Sequence, residues 1–97
     1  MLRHIVLLKW VDGVTAEQEA EVSAALDRLP PAIASIRRYT HGPDLDLDEG
    51  RYDYAIVADF DDADGWRVYD VDDLHNEIRA SVIRPLLAGR ATVQFGL

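Results

Sequence analysis

The stretch His4-Ile5-Val6-Leu7-Leu8-Lys9-Trp10-Val11, closed by Asp12-Gly13, decides the fold. It is β-branched and aromatic and the Asp-Gly pair supplies turn chemistry, which predicts a strand over about residues 2 to 11. Its alternate residues form two sets: His4, Val6, Leu8 and Trp10 on one face, Ile5, Leu7 and Val11 on the other. Both sets are substantially apolar. A second stretch, Tyr52-Asp53-Tyr54-Ala55-Ile56-Val57-Ala58-Asp59-Phe60, divides in the same way, into Tyr52, Tyr54, Ile56, Ala58 and Phe60 against Ala55 and Val57. Strands of this kind belong to a sheet that is covered on both faces.

Outward from these strands, Thr15 and Gln18 stand in capping-box spacing, with Glu17 and Glu19 near the positive end of the helix dipole. Val22, Leu26 and Leu29 recur at i, i+4 and i+7, giving the helix one buried stripe until Pro30-Pro31 stops it. Ser35 to His41 reads as a strand ended by Gly42-Pro43, and Asp44 to Gly50 as an acidic loop. After Phe60, Asp61 and Asp62 cap a short helix carrying Trp66 and Tyr69, and Asp72-Asp73 cap another. In that second helix His75, Ile78, Val82 and Leu86 fall on one continuous face, with Pro85 placed to kink it and Gly89 to end it. Arg90 to Leu97 is the last strand. The order β-α-β-β-α-β, with its second helical region split, predicts an α+β fold: a four-stranded antiparallel sheet with helices on one face. Nothing interrupts residues 1–97 as a single domain. Since the helices cover one face only, the other is expected to meet a second copy in a two-fold homodimer.

A net charge of −8 and a pI near 4.6 argue against nucleic acid or an anionic membrane as partner, because either would be repelled. The chain has no cysteine, which excludes disulfides, thiolate metal sites and cysteine nucleophiles. No stretch approaches the roughly 18 apolar residues of a membrane span. A cytoplasmic location is expected.

The pattern resembles a family, the stress-responsive dimeric α/β-barrel (Dabb) domain of the ferredoxin-like superfamily, over essentially the whole chain. The residues that carry the resemblance are Arg3 to Trp10, the Asp12-Gly13-Val14-Thr15 turn, Tyr39-x-x-Gly42, Tyr52-Asp53, Phe60 with its acidic cap, Tyr69 followed by His75, and Arg84-Pro85-Leu86. It implies a dimer whose two sheets close into a barrel, with the last strand helping to join the protomers and a pocket between sheet and helices. One plant member, olivetolic acid cyclase, is a polyketide cyclase performing an intramolecular aldol condensation. Its site is similar to His4, Tyr69 and His75 here, the last two standing for an acid/base pair. This chain departs from it at Tyr54, where the cyclase has histidine, and at Asp72-Asp73-Leu74-His75, which lacks the proline of the family's His-Pro-x-His stretch.

Taken singly, His75 is either a base facing the sheet or a buried histidine donating to a backbone carbonyl. Tyr69 offers its hydroxyl to a developing enolate, or packs as an aromatic anchor beside Trp66. His4 and Tyr54 orient a substrate, or serve as a core histidine and a cross-strand aromatic. Together with Val6, Leu8, Ile56 and Trp66 these residues would line a small apolar pocket with convergent polar tips. His41, at a turn, is expected to be exposed and outside the site. Asp44-x-Asp46-x-Asp48 opens like a calcium loop, but Glu49 and Ala55 stand where that loop needs glycine and a bidentate glutamate, so it reads as a solvated charged loop. No metal or cofactor is expected. Two functions lead: cofactor-free acid/base chemistry on a carbonyl or polyketide-like compound (aldol cyclisation or isomerisation), and a non-catalytic stress-response dimer binding a small hydrophobic ligand or a protein partner. The haem-degrading and cofactor-free oxygenases among related dimeric barrels form a third, which no residue here selects.

Overall fold

The structure, a computed structural model, describes residues Met1–Leu97. Strand β1 (Leu2–Trp10) leads to helix α1 (Ala16–Leu26), a short helix α2 (Leu29–Ala32) and strand β2 (Ile36–Pro43). Strand β3 (Tyr54–Phe60) is followed by α3 (Ala63–Asp70) and α4 (Asp73–Ile78). A π-helical turn (Arg79–Ile83) and a 3-10 turn (Arg84–Leu86) then deliver the chain to β4 (Leu87–Gly96). The four strands form one antiparallel sheet in the order β2-β3-β1-β4, a ferredoxin-like α+β fold.

Local chemistry accounts for the helix starts. Thr15 accepts from the Gln18 backbone N–H while the Gln18 side chain accepts from the Thr15 backbone N–H, the full capping box. Gly13 turns the chain just before it with φ of 84°, a conformation that costs glycine little. The predicted stripe of Val22, Leu26 and Leu29 is completely buried against the sheet. There it meets Val6, Leu8, Trp10, Tyr54, Ile56, Ala58 and Phe60, the helix-side residues of the two central strands.

Three boundaries differ from expectation. Pro30 and Pro31 do not end helicity outright; they begin the single turn of α2, where a missing N–H costs nothing. Gly42 and Pro43 lie inside β2 and pair with Ala55 and Tyr54, which is possible because β2 is an edge strand. Gly89 does not end a helix; it lies in β4 opposite Lys9, at a bulge. The face predicted from His75 through Leu86 also breaks. The π-helical turn adds a residue to the repeat, so Ile83, five after Ile78, is buried and Val82 only partly so.

The opposite sheet face carries no helix. Ile5, Leu7, Ala55 and Val57 are half-buried there, while Val93 and Phe95 are 56% and 45% exposed. Arg3 and Asp59 form a two-pronged ion pair beside them, at 2.8 and 2.9 Å. The bonds from Arg3 hold the Asp59 carboxyl below the usual carboxylate range. In the acidic loop, Asp44 and Asp46 both pair with Arg51. No helix of the chain is long and apolar enough to cross a membrane.

Candidate active site

A cavity of about 670 Å³ lies between the helix side of β1 and β4 and the segment from α3 to the 3-10 turn. Two aspartate caps aim its polar residues. Asp62 accepts from the Gly65 N–H at 3.0 Å and starts α3 so that Trp66 and Tyr69 face the sheet. Asp72 accepts from the His75 N–H at 2.9 Å and fixes His75 in the first turn of α4. Strand alternation supplies the opposite wall, with His4, Val6 and Leu8 from β1 and Ile56 from β3.

His75 is buried, and its ring stacks on that of Tyr69 with centroids 3.9 Å apart. Its Nδ1 lies 2.7 Å from the Tyr69 carbonyl oxygen, which can only accept, so Nδ1 carries the proton. Nε2 makes no hydrogen bond within the chain and, as no buried side-chain nitrogen lacks a partner, it keeps access to the cavity. Burial lowers the imidazole pKa to about 4, the bond to the Tyr69 carbonyl opposing and nearby Arg79 reinforcing the shift. At neutral pH the ring is therefore an uncharged base.

His4 has the complementary tautomer. Its Nδ1 lies 2.9 Å from the Gln94 amide nitrogen, a donor, so the proton resides on Nε2. Burial, and then the charge of Arg90, hold its pKa below the ordinary value. Tyr69 packs near it, centroids 6.4 Å apart, and its hydroxyl lies 2.9 Å from that of Tyr39. Burial raises the Tyr69 pKa, the bond from Tyr39 partly offsetting this, and burial raises that of Tyr39 further.

Of the eight residues singled out in the sequence, seven line this one cavity: His4, Val6, Leu8, Ile56, Trp66, Tyr69 and His75. Tyr54 does not. It faces the helices as parity requires, but at the end of the sheet under α1, where its hydroxyl lies 2.7 Å from both Ser23 Oγ and His41 Nδ1. His41 corrects a second expectation, for its side chain is only 8% exposed and its Nε2 lies 2.7 Å from Asp27 Oδ1. Asp27, His41, Tyr54 and Ser23 thus form a closed polar chain away from the cavity.

The cavity is also less apolar than expected, since 8 of its 17 lining residues are hydrophobic. Sequence reading missed Asp70, Asn76, Arg79, Arg84, Arg90 and Gln94. Arg90 enters because β4 begins three residues before the predicted start and sets Arg90 opposite Leu8, a pairing no local pattern reveals, and Arg84 enters from the 3-10 turn that follows the π-helical turn. No group of three or more histidine, aspartate or glutamate residues is placed to hold a metal ion.

Comparison with known proteins agrees with this architecture. The family model described as the stress responsive A/B barrel domain (Dabb) matches residues 2–96. A dimeric ferredoxin-like protein of unknown function from Thermobifida fusca is 46% identical, over 99% of this chain and 90% of its own, with a TM-score of 0.90. A dimeric ferredoxin-like protein from Bacteroides fragilis is 26% identical over 99% and 95% of the two chains, with a TM-score of 0.82. A hydroxynitrile lyase from Passiflora edulis shares the fold at 16% identity, covering 97% of this chain and 90% of its own, with a TM-score of 0.82. No curated protein sequence matches the chain.

Proposed function

The chain belongs to the stress-responsive A/B barrel domain (Dabb) family, and from that premise we propose a homodimer joined through the open sheet face, each subunit performing cofactor-free acid/base chemistry on a carbonyl compound. The observation that carries the chemistry is the pair of opposite histidine tautomers at one cavity, Nε2 of His75 free to accept a proton and Nε2–H of His4 free to donate. His75 Nε2 takes a proton from the carbon next to a carbonyl, and the C–H electron pair moves onto the carbonyl oxygen. His4 Nε2–H and the Tyr69 hydroxyl, itself held by Tyr39, stabilise the enolate oxygen. In an aldol cyclisation the enolate carbon bonds to a second carbonyl of the same molecule, and its new alkoxide recovers the proton from His75. In an isomerisation the proton returns to a different carbon.

Val93, Phe95 and their half-buried neighbours support the dimer, as does the dimeric state of the 46% identical Thermobifida fusca protein. A cytoplasmic site of action fits a chain without cysteine. One observation favours the non-catalytic reading, a ligand-binding stress-response dimer: the bond from His75 Nδ1 to the Tyr69 carbonyl is what a purely structural histidine would make. Exchange of α-protons of aryl diketones in D2O, followed by NMR, separates the two. The enzyme should catalyse the exchange and His75→Ala should lose it while remaining dimeric; undiminished exchange in that variant would overturn the assignment. Val57→Arg, on the open face, should give monomers in sedimentation, and an unchanged dimer would place the interface elsewhere.

A further inference from the structure

The chain carries ten Lys and Arg residues among eighteen Asp and Glu. With carboxylates in excess, most of those cations find a partner. Arg3, Lys9, Arg37, Arg51, Arg67 and Arg79 are all in ion pairs. Of the four left without one, Arg28, Arg38, Arg84 and Arg90, two line the same cavity. The cavity's single carboxylate, Asp70, is already engaged by Arg79 through both its side chain and its backbone carbonyl. Arg84 and Arg90 therefore leave a local excess of positive charge in a molecule whose net charge is −8.

The walls around these charges differ. Arg90, Thr92 and Gln94 stand on β4 opposite Leu8, Val6 and His4 of β1, so a polar ladder runs beside an apolar one. Along the strand Leu8 is about 13 Å from His4, within the length of one small extended molecule. A ligand with an apolar body, a carbonyl near the histidines and an anionic group near the arginines matches this layout. The planar guanidinium fork matches a carboxylate, and the cavity has no Gly-rich loop or free helix-start amide for a phosphoryl group, the N–H of His75 being taken by Asp72.

We infer that the ligand of this cavity is a keto acid, its carboxylate held by Arg84 and Arg90. This rests on the proposed reading only for the ketone; the carboxylate stands on the unpaired arginines. The test is equilibrium binding of 2,4-dioxo-4-phenylbutanoate and of its methyl ester to the purified protein, read by the fluorescence of Trp66 in the cavity wall and by NMR. The acid should bind at least about tenfold tighter than the ester, with a preference that falls as salt rises. Arg84→Gln combined with Arg90→Gln should abolish the preference without changing the thermal midpoint, as both residues are exposed. Equal affinity for acid and ester, a preference surviving in the double variant, or no binding of either probe would overturn the inference, and so would inorganic phosphate displacing the acid at equal concentration. His75→Ala should keep the preference for the acid. Acid binding without α-proton exchange would thus sink the catalytic reading alone, and exchange without acid preference would sink the keto acid alone.

Discussion

Two histidine–tyrosine clusters occupy the same face of the same sheet, and they are finished differently. In the first, His41 has both ring nitrogens bonded, to Tyr54 and Asp27, and the Tyr54 hydroxyl has a second partner in Ser23. In the second, His75 has one nitrogen bonded and the other open to a cavity. A closed network fixes α1 against β2 and β3 and leaves nothing to react, since each buried polar group is satisfied. An imidazole anchored on one side and free on the other is oriented yet available, the condition for proton transfer. Composition does not separate these clusters; the bonding of the last nitrogen does.

The largest expected effect falls on the open cluster. His75→Ala should lower the rate of α-proton exchange by about 10²–10⁴-fold, the usual contribution of a positioned base. Activity within twofold of the parent would erase the contrast between the clusters. Next comes pH. Between pH 6.5 and about 4 an unfolded chain binds a proton on His75 that the folded chain refuses. Stability should therefore fall as pH drops through that window, by on the order of 2 kcal/mol after allowing for partial solvent access. Denaturant titrations of the parent and of His75→Ala at several pH values check this, the variant showing the shallower slope. Tyr54→Phe strips the closed cluster of its central hydroxyl and should cost about 1–2 kcal/mol of stability. It should leave exchange intact, and a loss of activity there would show that the two clusters are coupled. Smallest is Tyr39→Phe, which removes the donor to Tyr69; a change of a few-fold in rate, with kcat moving more than KM, would mark Tyr39 as a positioning residue.

Much of this was legible in residue order. Strand alternation put His4, Val6, Leu8 and Ile56 on one wall, and the Asp62 and Asp72 caps located the two helices that carry Trp66, Tyr69 and His75. What escaped depends on long-range pairing. Alternation fixes the face of Tyr54 but not its place in the sheet, which its pairing with Leu8 and Pro43 decides. His41 looked exposed because Gly42-Pro43 looked like a turn, whereas pairing with β3 carries the strand through both residues. Arg90 belongs to the cavity only once β4 is laid in register against β1, and Arg84 only once the π-helical turn has shifted the helical repeat.

The π-helical turn at Arg79–Ile83 gives the helical segment a reading frame. Its one extra residue separates an upstream half, which carries His75, from a downstream half, which carries Ile83 and Arg84 to the cavity. Deleting a single residue within it would shift the downstream half by one position in the helical repeat, about 100° of rotation, and leave the upstream half in place. The proton-transfer end and the arginine end of the cavity are thus separately indexed, and length variation at this point would retune what the cavity holds while preserving how it reacts.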